Sequence, residues 1–279
     1  MELIKLATSR RSRWSDVLHV LLNISYAALL FILVSPGIAL TSLALALVFL
    51  SKWRVFAVRP RFWFANVQAN AVDFLVGMSV VGLMYLTAAS SPWVALTIAI
   101  LFAGWLVILK PHSSRRKILA QAAITQFVAL TALFSFAHRL QIGSFLTDTT
   151  LLTVVAAWVI GYVCARHALS AFSDETERAF ISLIWGFIVA ELAWLYHHWT
   201  IAYSIYRQDN ISADQQLMIP QVALMVTLGS FVATKAYERL RNPDSKKAAT
   251  DLRFAVVFSA LAASLLLLFF NGSLDFTSL

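Results

Sequence analysis

Hydrophobic residues along this chain gather in long runs, and short polar segments separate one run from the next. An α-helix needs about 20 apolar residues to cross the hydrocarbon core of a bilayer. The runs lack the alternation of apolar and polar positions that marks a barrel strand. A helix also satisfies its own backbone hydrogen bonds in lipid. The pattern therefore predicts an all-α, polytopic transmembrane helix bundle.

We predict about nine transmembrane helices, within a range of eight to ten. The predicted spans are 17–35, 38–51, 66–88, 93–109, 118–138, 149–165, 179–201, 218–235 and 254–270. Pro36 and Gly37 form the turn that separates the first two spans. The second span is short, so we expect its helix to continue through Lys52 and Arg54 and to end at Pro60.

Basic residues lie almost entirely at one end of the predicted helices. Twenty of the 22 Lys and Arg residues fall in five segments: 1–16, 51–65, 110–117, 166–178 and 235–253. Arg139 and Arg207 are the remaining two. Since Lys and Arg accumulate in cytoplasmic loops, these segments are predicted to be cytoplasmic. Residues 1–16 then form a cytoplasmic basic segment, 17–270 form one transmembrane domain, and 271–279 form an extracytoplasmic tail.

Composition excludes an ordinary soluble domain. Hydrophobic residues make up 60% of the chain and charged residues 13%, whereas soluble domains have roughly 25% charged residues. The net charge of +8 would suggest nucleic-acid binding in a soluble protein. Here each basic loop is short and adjoins a membrane end, so the predicted partners are membrane lipids, with anionic headgroups at the cytoplasmic loops, and not nucleic acid.

Common motifs for metal binding, nucleotide binding and serine hydrolysis are absent from the sequence. There is no HExxH pair, no Walker loop, no GxSxG elbow and no GxGxxG fingerprint. Cys164 is the only cysteine, so neither an intrachain disulfide nor a cluster of zinc-binding thiolates can form. We therefore predict no metal site and no cofactor.

Glu191 and His198 are the first candidates for function. Charged groups within a bilayer are costly, roughly 2.5 to 3.5 kcal/mol on insertion scales, and are kept mainly for function. Glu191 lies near the middle of the predicted seventh span, and His198 follows seven residues later on nearly the same helix face. We predict that both line a polar path through the bundle. The alternative for Glu191 is a hydrogen bond between helices.

A polar stripe on the predicted third span gives the second set of candidates. Its members are four, three and four residues apart: Asn66, Asn70, Asp73 and Gly77. Such a stripe faces other helices or a watery cavity, because lipid does not solvate it. Gly77 and Gly82 would let a neighbouring helix approach closely. Asp73, with Asn66 and Asn70 beside it, is therefore predicted to belong to the polar path.

Secondary candidates lie on the predicted fifth span. Gln121 and Thr125 are one helical turn apart, a spacing typical of hydrogen bonds between helices. His138 and Arg139 end the span on the predicted outer side, where long polar side chains reach toward the interface. Arg139 opposes the charge asymmetry of the chain and is the harder of these two to explain by topology alone.

Three functions fit these residues. We favour a transporter or proton-coupled carrier, in which Asp73, Glu191 and His198 are stations for a small solute or a proton. The chain has no visible internal repeat, which such carriers often have. The charge asymmetry and the short predicted outer loops are typical of a bacterial cytoplasmic membrane.

Two alternatives remain open. One is a membrane enzyme that acts on a lipid or lipid-linked substrate, with Asp73 as its carboxylate. Basic loop residues would then hold phosphate groups: Arg59, Arg61, Arg115 and Arg116. The other is a non-catalytic scaffold, in which the intramembrane polar residues only lock helices together.

Overall fold

The computed structural model describes residues 13–55, 57–110, 114–139, 149–172, 175–199, 202–204 and 218–270. Nine α-helices form most of these residues: α1 (Arg13–Val34), α2 (Thr41–Leu50), α3 (Trp63–Ala88), α4 (Pro92–Gly104), α5 (Arg115–Arg139), α6 (Thr149–Ala168), α7 (Glu175–Trp199), α8 (Gln221–Arg241) and α9 (Lys246–Phe270). The predicted all-α helix bundle is confirmed. Segments 1–12 and 271–279, which include most of the basic N-terminal segment and the whole predicted tail, lie outside the described residues.

Seven helices in the described part of the chain are long and apolar enough to cross a bilayer, so the protein is a multi-pass membrane protein. The two others differ from them in different ways. Helix α2 has 10 residues, about 15 Å, or half of the hydrocarbon thickness. Helix α8 has 21 residues, about 31 Å, and is long enough to cross. Its polar residues lower its hydropathy, and one of them, Ser230, bonds to Gln126 within the bundle.

Helix α2 ends earlier than the sequence suggests. The prediction that it continues through Lys52 and Arg54 is wrong, because the helix stops at Leu50 and a 3-10 turn covers Trp53–Val55. The Ser51 hydroxyl donates to the carbonyl of Val48 at 2.7 Å and closes the last turn. Lys52 therefore lies in the turn that follows the helix, not in the helix itself.

Five helices, α1, α3, α5, α7 and α9, begin three or more residues before their predicted apolar runs, and three of them show why. Helix α3 starts at Trp63, α7 at Glu175 and α9 at Lys246, against predicted starts at 66, 179 and 254. Their first turns are polar or interfacial and therefore lack the apolar signal of a span. In α9 the Ser245 hydroxyl accepts a hydrogen bond from the backbone N–H of Ala248 at 3.2 Å, as an N-cap residue does.

The bundle has two hydrophobic cores. One lies among α1 to α4 and contains the fully buried Leu30 and Met84. The other lies among α5 to α8 and contains the fully buried Leu130 and Val226. Helix α9 packs against α8 and exposes most of its apolar side chains to the outside of the bundle, where lipid would cover them. The two cores divide the molecule into halves.

Glycines bring helices close together, as predicted for Gly77 and Gly82. A Cβ at Gly77 would lie 2.7 Å from Cγ1 of Val48 on α2. A Cβ at Gly82 would lie 2.6 Å from Cε2 of Phe136 on α5. The Gly82 contact joins the two halves of the bundle, and no larger residue fits there without displacing the facing side chain.

The two ends of the bundle differ. At one end a two-stranded antiparallel hairpin precedes α8, with β1 (Ala202–Ser204) paired to β2 (Met218–Pro220). At the other end, ion pairs among the described residues involve seven basic side chains: Lys52, Lys110, Arg115, Arg166, Arg178, Lys235 and Arg241. We call this the basic end. Its location in the cytoplasm remains a prediction from charge.

Candidate functional site

Asp73 meets two lysines at the basic end of the bundle. It lies on α3, and its carboxylate forms an ion pair with the ammonium group of Lys52. The Lys110 ammonium group lies 3.4 Å from the same carboxylate oxygen. The side chains of Lys52 and Asp73 are 14% and 21% exposed, so this pair is largely withdrawn from water. A single carboxylate thus holds cations that follow α2 and α4.

These three groups line a cavity of about 140 Å³, which we call the Asp73 cavity. Its wall is formed by α1, the end of α2, α3 and the end of α4. The polar part of the wall adds three neutral side chains, Asn23, Tyr26 and Ser51. The apolar part comes mainly from the end of α4, with Phe102, Trp105 and Leu106. The cavity therefore combines charge, hydroxyl and amide groups with an apolar side.

Local backbone structure places both lysines. Lys52 lies in the turn directly after α2, where the chain has left the helix. At the end of α4 the backbone forms a π-helix over Trp105–Leu109, and the N–H of Lys110 donates to the carbonyl of Trp105 at 3.0 Å. Single π turns inside α-helices are frequent at functional sites. Both irregular turns lie beside the cavity, and Asp73 comes from the regular helix between them.

The Asp73 cavity has an excess of positive charge, since two ammonium groups face one carboxylate. Burial lowers the pKa of the Lys110 ammonium group from 10.5 to about 8, an effect that Lys52 strengthens and Asp73 opposes. Lys110 therefore gains and loses a proton closer to neutral pH than an exposed lysine does. An excess of positive charge of this kind attracts anions, and the Lys110 ammonium group can exchange a proton.

The structure separates the predicted polar stripe into two parts. Asp73 and Gly77 line the Asp73 cavity. The Asn70 side chain instead donates to the backbone carbonyl of Asn66 at 2.9 Å, within α3. Of the three polar residues in the stripe, Asp73 is the one that lines this cavity.

The two partners of Asp73 do not stand out in the sequence, where Lys52 and Lys110 indicate only topology. One signal was available. An acidic residue about 15 Å inside a helix, ten residues from its start, needs a cation nearby. The lysines that end the neighbouring spans were the natural partners.

Gln121 joins three segments of the bundle. Its amide nitrogen donates to the carbonyl of Leu109 at 2.7 Å, and its oxygen lies 2.9 Å from Nε2 of His167 on α6. The Thr125 hydroxyl donates to the backbone carbonyl of Gln121 at 2.6 Å, within α5. Gln121 therefore connects helices, as predicted, whereas Thr125 bonds to its own helix.

Arg166 holds a second ionic cluster at the basic end. Its guanidinium forms an ion pair with Glu175 at the start of α7, and Glu175 also pairs with Arg178. With its amide turned, the Gln68 oxygen on α3 accepts a hydrogen bond from Arg166. Arg166 therefore links α3, α6 and α7.

Glu191 lies apart from the Asp73 cavity. It is exposed on α7, in a groove of about 480 Å³ on the side of α6 and α7. Aromatic side chains border this groove: Trp158, Phe187 and Trp194. The structure does not bring Glu191 and Asp73 to a common cavity among the described residues. The side chains of His198, His138 and Arg139 lie outside the described residues, so their predicted roles stay predictions.

Comparison with protein-family models, with curated proteins and with solved structures finds no match to this chain. The function is therefore inferred from the geometry of the site.

Proposed function

We propose that the protein is a membrane carrier for a small anion, with the Asp73 cavity as its binding site at the basic end. One observation supports this above the others: two ammonium groups face a single carboxylate on the wall of a partly enclosed cavity. This proposal keeps the predicted transporter and names a class of solute. It further locates the protein in a bacterial cytoplasmic membrane, with the basic end inside the cell.

The lining of the cavity suits a small anion. Its volume of about 140 Å³ has room for several water molecules. Chloride, nitrate and phosphate are small enough to bind there. Tyr26, Asn23 and Ser51 add hydrogen-bonding groups that suit the oxygen atoms of such anions.

The charges favour coupling to a proton. Asp73 and a bound anion compete for the same two ammonium groups. An anion beside Lys110 stabilises the protonated form of that lysine, and by linkage the protonated lysine binds the anion more tightly. A carrier of this kind moves an anion together with a proton, so that the net charge transferred is zero for a monovalent anion.

Flux in vesicles tests the proposal. Purified protein is reconstituted in vesicles of phosphatidylcholine and phosphatidylglycerol that contain a pH-sensitive dye, and chloride, nitrate or phosphate is added outside in turn. At least one anion should acidify the interior. Lys110→Met should abolish the acidification, because the ammonium group that binds both proton and anion is gone. Lys246→Met removes an exposed lysine that does not line the cavity and should leave the flux unchanged.

The same variants separate the carrier from the two alternatives. Equal flux with Lys110→Met would contradict the proposal. Absence of anion-driven acidification in every protein, combined with a loss of thermal stability in Asp73→Asn, would favour a scaffold in which the cluster only locks α2, α3 and α4. A co-purified lipid intermediate that changes with Asp73→Asn would favour the lipid enzyme.

A further inference from the structure

A second site lies in the other half of the bundle. Between α5, α6, α7 and α8 there is an apolar cavity of about 100 Å³, which we call the chain pocket. Ala122 and Ala123 leave space on α5, and Cys164 and Trp185 close the pocket from α6 and α7. None of its lining residues lines the Asp73 cavity.

The chain pocket continues into a charged mouth at the basic end. The mouth is a cavity of about 270 Å³ between α5, α8 and α9, and Leu119 and Lys235 line both spaces. Four basic and two acidic side chains line it: Arg115, Arg116, Lys235, Lys247, Glu238 and Asp251. The mouth therefore has an excess of two positive charges.

Ion pairs neutralise only some of the basic side chains in the mouth. Glu238 pairs with Arg115 at 3.1 Å and with Lys235 at 3.0 Å, and Asp251 lies 3.6 Å from Lys235. Arg116 and Lys247 have no acidic partner among the residues that the structure describes. These two cations are the ones best placed to bind an external phosphate group.

One buried polar atom marks the depth of the chain pocket. Gln126 is 2% exposed, and its Oε1 accepts a hydrogen bond from the Ser230 hydroxyl at 2.7 Å. Its Nε2 has no partner among the described residues. Turning the amide would leave Oε1 unpaired instead, and an unpaired buried polar atom costs about 1–3 kcal/mol.

The depth of Gln126 fits an amphiphile. Leu119, at the junction with the mouth, and Gln126 are seven residues apart on one face of α5, a separation of about 10 Å. A ligand that fills both spaces thus has an anionic group at one end and an apolar chain that reaches about 10 Å into the pocket, to the level of Gln126. A phospholipid with an exposed phosphate group has both features.

We propose that the chain pocket and its mouth bind one phospholipid with an exposed phosphate group, such as phosphatidic acid. The phosphate contacts Arg116 and Lys247, and an acyl chain enters between α5 and α8. This site is independent of the proposed anion carrier, because the two cavities lie in different halves of the bundle.

Quenching of Trp185 by a brominated lipid tests the site. The full chain is reconstituted in phosphatidylcholine vesicles that contain a small fraction of phosphatidic acid with brominated acyl chains. Saturable quenching is expected, and the Trp185→Phe variant should lack it. Double replacement Arg116→Gln with Lys247→Gln should weaken binding about tenfold or more, as expected for the loss of charged hydrogen bonds. The matched control Lys246→Gln removes a neighbouring charge outside the mouth and should bind as the wild type does.

Three further measurements decide the outcome. Ala123→Phe should fill the chain pocket and abolish the saturable quenching, whereas Ala120→Phe, on the same helix but outside the pocket lining, should not. Inorganic phosphate should compete poorly, because it lacks the chain. Equal competition by inorganic phosphate, or equal quenching by brominated phosphatidylcholine in every variant, would overturn the proposal. The first outcome would indicate a simple anion patch, and the second would indicate ordinary contact with bulk lipid.

Discussion

Lys110 has the most unusual environment among the charged groups of the Asp73 cavity. It follows a π-helix, lies 3.4 Å from Asp73 and is 34% exposed. Partial burial disfavours its charged form, and the nearby Lys52 acts in the same direction. The attraction of Asp73 does not fully compensate, so the pKa of Lys110 falls to about 8. The charge of the site therefore depends on pH just above neutrality.

This shift predicts a pH-dependent stability. In the unfolded chain Lys110 has its ordinary pKa of 10.5, so between about 8 and 10.5 the unfolded state binds more protons than the folded state. The free energy of unfolding should therefore rise with pH in this window, by about 1–2 kcal/mol once the partial exposure of the ammonium group is allowed for. The measurement is thermal unfolding in one detergent, with the wild type compared at each pH with Lys110→Met.

The informative quantity is the difference in the free energy of unfolding between the wild type and Lys110→Met. Contributions from all other ionisable groups are shared by the two proteins and cancel in this difference. A difference that stays constant from pH 7.5 to 10 would contradict the lowered pKa. If this difference in unfolding free energy falls as the pH rises, the pKa of Lys110 is raised in the folded protein and not lowered.

Close helix contacts determine the packing of the second half of the bundle. A Cβ at Gly161 on α6 would lie 2.8 Å from Cβ of Val189 and 3.2 Å from the backbone Cα of Gly186, both on α7. Gly161 and Gly186 thus face each other where α6 and α7 cross. The neighbouring backbone cannot move aside as a flexible side chain does, so this crossing requires glycine.

Gly161→Ala should therefore destabilise the protein by about 1–3 kcal/mol, as overpacked sites usually do. Gly104→Ala is the matched control, because a Cβ at Gly104 meets nothing within 4 Å. In a helix that change should be neutral or stabilise by up to about 1 kcal/mol. Thermal unfolding of both variants in the same detergent measures the contrast. Equal stability of the two variants would mean that α6 and α7 do not cross at Gly161.

Helix number and order could be predicted from the sequence because each run of apolar residues is a local signal. Helix ends were harder to predict. The start of α9 lies at Lys246 because Ser245 caps it, and the Ser245 signal was present in the sequence but fell outside the apolar run. Directly after the end of α2, Lys52 pairs with Asp73, a contact across helices that no local pattern contains.

At the scale of the whole molecule, the candidate site required knowledge of which helices are neighbours. Asp73 could be selected from its depth alone, but its partners come from the ends of two other helices. Glu191 could also be selected from depth, and it proves to be exposed in a groove on α7. The rotation of a helix about its axis decides between these outcomes. Apolar residues on nearly all sides of a span leave that rotation undefined.

The orientation of the molecule in the membrane gives the last prediction. Replacing Cys164, which is buried, with Ala yields a cysteine-free protein in which single cysteines can be placed at exposed turns. We expect Gly37→Cys, between α1 and α2, to react with a membrane-impermeant maleimide added to intact cells. Val58→Cys, after α2, and Asp244→Cys, between α8 and α9, should react only after the membrane is opened. All three positions are exposed in the structure.

Each site tests one link in the topology. Gly37 and Val58 differ only by the crossing of α2, so equal reactivity would mean that its 10 residues do not cross. A bundle inverted in the membrane would exchange the reactive and protected sets. Reaction of Asp244→Cys in intact cells, with Gly37→Cys and Val58→Cys as expected, would indicate that α8 folds back without crossing. The predicted pattern follows if all seven helices from α2 to α8 cross, with Lys and Arg at the basic end held on the cytoplasmic side.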